Sequence, residues 1–277
     1  MDVVAEPGEI LRWGLALAAG GLAAGFVSGL FGVGGGIVRV PLFLWLFPFF
    51  GWDGPLLVHV AAGTSLLIAV PSTIGPARTH WRAGRLEVAQ LRVWVPSVLL
   101  GVAVGISLQH FSPGPVVVLV FGILMGLIGL EMLLAGDRPG RSRPVAGGSV
   151  LGVVAFGVGS LASFVGVTGG AFSTPARTAL GLPIHRAIAL SAAGGVAISA
   201  AAAAGSAVTG LGAAHLPPFS WGYVNLFVAG VMTPFVLVSA RWGVRVGAGL
   251  PERRMQIIFG TFLLLVSADM VRQYFAG

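Results

Sequence analysis

Apolar residues in this chain fall in long uncharged runs instead of the short alternation of a soluble fold. The runs cover about residues 10–31, 37–50, 56–77, 93–111 and 115–135, then 145–167, 171–181, 187–208, 221–240 and 255–275. A helix rising ~1.5 Å per residue needs about 20 apolar residues to cross a bilayer, and eight of the ten runs approach or reach that length. The runs at 37–50 and 171–181 are too short to span. One polar stretch, GDRPGRSRPVAGG at 136–148, separates two sets of five. The pattern therefore predicts an all-α integral membrane protein. Its parts are a first repeat over 1–135, a linker over 136–148 and a second repeat over 149–277.

Composition agrees. Of 277 residues, 56% are hydrophobic and 9% charged, where a soluble domain carries roughly 25% charged residues. The net charge of +7 would suggest nucleic acid in a soluble protein. Here all the basic residues are arginines set mostly in short loops, where the positive-inside rule expects them, so no nucleic-acid partner is expected. Cysteine is absent, which removes thiolate chemistry and disulfides. Three acidic residues precede the first apolar run and no basic segment does, so Ile10–Phe31 reads as a retained helix and not a cleaved leader.

The two sets of runs share an ordered series of matches. Gly32-Val33-Gly34-Gly35-Gly36 with Pro41 recurs 134 residues later as Gly166-Val167-Thr168-Gly169-Gly170 with Pro175. His59, Ala61 and Ser65 recur 126 residues later as His185, Ala187 and Ser191. Pro96, Gly105, Pro113 and Phe121-Gly122 recur 138 residues later as Pro234, Gly243, Pro251 and Phe259-Gly260. Arginines in 78–92, the linker, 182–186 and 241–254 put those loops in the cytoplasm, whereas 51–55, 112–114 and 209–220 have none. Corresponding loops then lie on opposite sides of the membrane, as five segments per repeat require. Inverted repeats of this kind characterise secondary transporters, with the site near the midplane where the repeats meet.

Three consecutive glycines before a proline interrupt helix, and no polar loop separates the first and second runs. Non-helical backbone at membrane depth must be buried in protein or line a wet cavity. Ile10–Phe50 is expected to be a broken or re-entrant helix turning at the glycines, with a new half-helix starting near Ile37. Its uncapped amides and positive dipole end suit an anion. The second repeat offers the same at Thr168, Gly169 and Gly170, with the Thr168 hydroxyl as a further donor. The substrate-binding candidates are accordingly Gly34, Gly35, Gly36, Thr168, Gly169 and Gly170. A dinucleotide loop is excluded, because the third glycine of GxGxxG and any βαβ context are missing.

Ionisable residues within spans are candidates by default. Arg39 and Arg177 each follow a glycine break and, aligned on the prolines, differ by one helical turn; each either binds an oxyanion or snorkels to an interface. Thr64, Ser65 and Ser191 lie one or two turns into the third and eighth runs and join the substrate set. His59 and His185 open those runs as possible proton relays or interfacial residues. Ser28, Ser72, Thr73 and Asn225 are weaker candidates. Glu131 and Asp269 are expected to pair with loop arginines, and His80, Arg82 and Gly84 to lie in a cytoplasmic loop. Neither a metal-ligand cluster nor a cofactor motif is visible.

GLFGVGGGIVRVP, HVAAGTSL and ARTHWRAGRLE, echoed by FVGVTGGAFSTP and HRAIALS, resemble the TauE/SafE family of membrane permeases over essentially the whole chain. That resemblance implies a multi-pass protein of a bacterial or archaeal inner membrane that moves small sulfur-containing anions, sulfite or an organosulfonate such as sulfoacetate. Arg39 departs from it, standing where an aliphatic residue is usual. An anion channel of the same fold is the alternative. An intramembrane Ser-His hydrolase is disfavoured because no GxSxG elbow occurs, so no enzymatic activity is expected.

Overall fold

The computed structural model describes residues 7–31, 34–84, 86, 88–134, 147–182, 184–247 and 249–276. Gly32, Val33, Arg85, Pro183 and the linker residues 136–146 lie outside the described residues, as do the side chains of Ile184 and His185. Among the described residues the chain forms ten helices: α1 (Pro7–Phe31), α2 (Gly36–Phe49), α3 (Leu57–Arg82), α4 (Val88–Phe111), α5 (Gly114–Leu134), α6 (Gly148–Phe164), α7 (Gly170–Ala179), α8 (Ile184–Thr209), α9 (Leu226–Gly247) and α10 (Glu252–Ala276). Seven of them, α1, α3, α4, α5, α8, α9 and α10, are long and apolar enough to cross a membrane. As the run lengths predict, α2 and α7 are short, with 14 and 10 residues. The sixth helix, at 17 residues, falls below the run drawn for it.

Helices meet through glycine. A Cβ on Gly25 of α1 would lie 2.7 Å from Val236 Cα of α9, and one on Gly21 would lie 3.1 Å from Phe235 Cβ. Gly29 faces Ala240 in the same way, so α1 and α9 run parallel in close backbone contact. On the opposite flank α4 and α6 do the same, with Gly159 against Val98 and Val102, and Gly105 against Ser160 and Ser163. Helices α5 and α10 cross antiparallel, Gly129 and Gly260 each facing the other's carbonyl at 2.9 Å from a Cβ position. Lipid provides no hydrophobic drive between helices, so association depends on such close approach and the dispersion contacts it allows. Between these pairs stand α3 and α8, packed on each other, with α2 against α3 and α7 against α8.

One end of the bundle is sealed by aromatics. Trp13, Phe43, Phe47, Phe50 and Trp52 form a buried cluster with Tyr223 and Val228; ring centroids of Trp13 and Trp52 lie 5.1 Å apart and those of Phe47 and Trp52 5.3 Å apart. A small antiparallel hairpin, β1 (Ser220–Trp221) and β2 (Val224–Asn225), sits over it. It occupies the start of the run read from sequence at 221–240, so α9 begins five residues later and runs seven residues further than that run. The reason is Asn225: its Oδ1 accepts from the Val228 amide at 2.9 Å, a side-chain N-cap that starts the helix there. Helix α3 likewise continues to Arg82 and α4 begins at Val88. Arg78, His80, Arg82 and Arg92 are therefore on helix ends and not in the loop expected over 78–92. Arg241 and Arg245 are on α9 for the same reason: arginine stems can lie along helix flanks while their heads reach the interface.

Candidate functional site

Both glycine runs break the helix as expected, and they do so against each other. Gly34 and Gly35 adopt φ of 74° and 76°, a left-handed conformation that admits glycine readily. Gly35 is the N-cap of α2 and Gly169 the N-cap of α7, and neither helix start has a side-chain cap. A Cβ on Gly36 would lie 2.7 Å from Val167 Cα and 3.1 Å from the Thr168 amide, and one on Gly34 would meet Thr168 Oγ1. The missing side chains thus let two uncapped helix N-termini adjoin.

Beneath this junction opens a cavity of about 1040 Å³. Its deep wall includes Ser28, Gly34, Ile37, Thr73, Thr168, Gly170, Ala171, Ser191 and Gly195. His80, Glu131, Thr178, Gly247 and Gln256 line it farther out, at the end of the bundle where α3, α5, α7 and α9 finish. None of the aromatic rings of that cluster lines it, so the cavity is approached from the arginine-bearing end.

The Arg39 side chain is fully buried. Its Nη2 donates to the Gly34 carbonyl at 3.0 Å and its Nε to Ser65 Oγ at 3.4 Å, while Nη1 has no partner. That free nitrogen and the Ser28 hydroxyl converge on Gly35, where a Cβ would be 2.8 Å from one and 2.9 Å from the other. The Thr168 and Ser191 hydroxyls on the cavity wall are also buried and without a partner. Among the described residues no carboxylate pairs with Arg39. A buried, incompletely satisfied guanidinium is strongly disfavoured unless something neutralises it. Arg39, Gly35, Gly36 and Ser65 do not themselves line the cavity, but Ser28 and Gly34 do. An oxyanion reaching the deep wall would therefore meet hydroxyls and helix N-termini with this cation directly behind Gly34.

The structure separates the other sequence candidates. Arg177 is fully buried as well, so neither arginine snorkels; neither lines the cavity itself, but Arg39 bonds the lining residue Gly34 whereas Arg177 lies over the Trp94 ring at 3.7 Å. Thr64 does not line the cavity: its Oγ1 accepts from the Asn225 amide at 2.9 Å and so ties the hairpin to α3. His59 donates through Nε2 toward the Gln109 carbonyl at 2.9 Å, holding the end of α4, and its ring lies 5.2 Å from that of Tyr223, tilted by 42°. Gly169 is occluded by Ile198, with a Cβ position 3.4 Å from Ile198 Cγ1. Asp269 is paired not with a loop arginine but with Arg272 on its own helix at 2.8 Å, and it also accepts from Trp45 and Gln273. An (i, i+3) partner needs no tertiary placement. Glu131 is at the cavity mouth. Sequence reading missed Trp94 and Ser173, both fully buried; an indole and a serine in apolar helices carry no periodicity that distinguishes them from packing residues.

A family model described as sulfite exporter TauE/SafE matches residues 17–270. A probable membrane transporter protein of Haemophilus influenzae is 30% identical over 90% of this chain and 95% of its own. One of Methanocaldococcus jannaschii is 23% identical over 91% and 92%. A third, of Bacillus subtilis, is 29% identical over 44% of this chain and 41% of its own. No solved structure matches the chain.

Proposed function

The chain belongs to the TauE/SafE family, a multi-pass membrane protein, and from that premise we propose that it is a secondary transporter of a small sulfur-containing oxyanion, sulfite or an organosulfonate such as sulfoacetate, in the cell inner membrane. The observation that carries this reading is the fully buried Arg39 with a free Nη1, set beside two uncapped helix N-termini on the deep wall of a cavity. Gly34, Gly35, Gly36, Thr168 and Gly170 supply amides and a hydroxyl; Arg39 and Ser28 supply charge and a donor; Ser65 orients Arg39, and Ser191 faces the anion from α8. The names of the relatives, as probable membrane transporters, support transport and not enzymatic turnover.

Alternating access is supported by an internal correspondence of contacts. Adding 134 to Gly25 and subtracting 138 from Val236 gives Gly159 and Val98, and both pairs touch. Gly243 with Phe26 corresponds in this way to Gly105 with Ser160, which also touch. Thr73 and Ser199, equivalent at 126, hydrogen-bond to each other at 3.4 Å. These pairs favour two inverted repeats, 1–135 and 149–277, related by an axis between α3 and α8. In the positive-inside sense the cavity faces the cytoplasm and the aromatic cluster closes the far side, an inward-facing state. A cavity that the aromatic rings at the far end do not line favours a carrier over an open channel. Rocking of the repeats would open the aromatic end and close the arginine-bearing one.

The first test is thermal stabilisation of purified protein by a panel of sulfite, thiosulfate, sulfate, sulfoacetate and chloride, since a ligand selective for the folded state raises its stability by about 2.7 kcal/mol at 100 times its Kd. Stabilisation by sulfite or sulfoacetate that is lost in Arg39→Met is expected; no response to any of the sulfur-containing anions sinks the oxyanion reading. Access is tested separately, and the absence of native cysteine makes it clean. A single Thr178→Cys variant is expected to react with an impermeant thiol reagent only from the cytoplasmic side and to be protected by substrate. Labelling from the outside in the resting protein contradicts the inward-facing assignment.

A further inference from the structure

A second guanidinium remains outside the substrate cavity. All three side-chain nitrogens of Arg177 are buried and without a hydrogen-bond partner, and no carboxylate among the described residues pairs with it. Its guanidinium carbon lies over the Trp94 ring, 3.7 Å from the centroid, a cation–π contact that uses none of its N–H groups as hydrogen-bond donors to an acceptor atom. The Trp94 Nε1 and the hydroxyls of Ser173 and Ser191 are buried and unpartnered too. Ser173 stands one turn before Arg177 on α7, hence on the same face. Two of these donors meet at Gly194 of α8, where a Cβ would be 3.1 Å from Trp94 Nε1 and 3.9 Å from Arg177 Nη2, while Ser173 Oγ lies 3.3 Å from a Cβ position on Gly169.

The equivalent place in the other repeat is hydrocarbon. Through the spacings of 134, 138 and 126, Arg177, Trp94 and Gly194 correspond to Phe43, Met232 and Ile68. Those three are fully buried members of one apolar cluster. The architecture can therefore close this spot without charge, and the arginine in the second copy is not demanded by the fold. Ser173 and Ser191 correspond to Arg39 and Ser65, which hydrogen-bond in the first copy; in the second the guanidinium has moved one turn along.

We propose that Arg177, Trp94 and Ser173, together with Ser191, which they share with the substrate cavity, form a second anion site behind its wall for a small monovalent inorganic anion of chloride size. One guanidinium and neutral donors suit a single negative charge. Arg177, Trp94 and Ser173 are fully buried, and a single methyl at Gly194 would occupy the place where donors converge, so the ligand is compact. Ser191 lines the cavity and belongs to this donor set, which makes it the link through which the anion enters. The assignment rests on the duplicated organisation for its comparison and not on the identity of the transported substrate.

The test uses the full-length protein purified in gluconate and titrated with sodium chloride at constant ionic strength, read by melting temperature and by binding of radiolabelled chloride. Wild type and Arg39→Met are expected to show saturable binding of one chloride, with a melting temperature several degrees higher at about 100 times the Kd. Arg177→Met, which places hydrocarbon where the first copy has Phe43, is expected to lose that response and keep its stabilisation by sulfoacetate. Gly194→Ala is expected to weaken chloride binding at least tenfold through the added methyl. Absence of a saturable chloride response in wild type, or a response retained in both Arg177→Met and Gly194→Ala, overturns the site. Loss of the chloride response in Arg177→Met together with no sulfoacetate binding in any variant would keep this site and remove the substrate reading.

Discussion

Arg39→Met is expected to abolish substrate binding while leaving the ligand-free protein as stable as wild type. Removing one partner of a buried charge pair costs about 2–5 kcal/mol of binding, and at ~1.4 kcal/mol per factor of ten the Kd rises at least roughly 30-fold. Stability moves differently because the ligand-free site already holds an unneutralised cation. Replacing buried charge by hydrocarbon is often neutral or stabilising by ~1–4 kcal/mol. Against that gain, the Gly34 carbonyl and Ser65 lose their donor, and an orphaned buried acceptor costs about 1–3 kcal/mol. The two terms are similar, so the melting temperature without ligand should be nearly unchanged and the shift with sulfite or sulfoacetate should vanish. A variant that melts much lower in the absence of ligand would identify Arg39 as a structural strut. One that binds normally would place the substrate elsewhere.

Gly25→Leu and Gly159→Leu are the substitutions expected to damage the fold most. At Gly25 the new side chain would drive into the Val236 backbone, with Cα 2.7 Å from the Cβ position, and into Ser239; at Gly159 it would drive into Val98 and the Val102 amide, 3.1 Å away. Backbone cannot rotate aside as a side chain can. Overpacking costs typically 1–3 kcal/mol in a core and more when helices must separate, so about 3 kcal/mol or more is expected. Each variant should elute from gel filtration as aggregate or melt at least several degrees lower. Gly157→Leu is the control, because no atom lies within 4 Å of its Cβ position. Equal behaviour of Gly157→Leu and Gly159→Leu would refute the close-contact account of the α4–α6 seam. A milder defect at Gly159 than at Gly25 would indicate that the two seams, though equivalent in register, differ in rigidity.

The ten helices, the two short ones and the breaks at the glycine motifs were legible in the residues, because each depends on local rules. Run length sets what can span, and glycine beside proline sets where helix stops. The offsets between equivalent positions were legible too, being properties of the string. Helix ends were less so: arginines at 78, 92, 241 and 245 look like loop residues but sit on helices, since a charged head can leave a helix flank for the interface. The hairpin at 220–225 and the Asn225 cap escaped notice for want of a strong local pattern in two-residue strands.

The division within the candidate site came from tertiary packing. Sequence placed Arg39, Arg177, Thr64, Ser65, Thr168 and Ser191 in one set, since all are polar residues inside spans. Only the fold distinguishes Thr64, whose hydroxyl is occupied by the Asn225 amide, from Thr168 and Ser191, whose hydroxyls are buried with nothing to bond. Only the fold sets Arg39 over Gly35 and Arg177 over Trp94. Residue type and spacing specify what a group can donate or accept. Which partner it meets depends on residues well outside its own helix turn, 26 positions from Arg39 to Ser65 and 161 from Thr64 to Asn225, brought close by helix crossings that glycine permits.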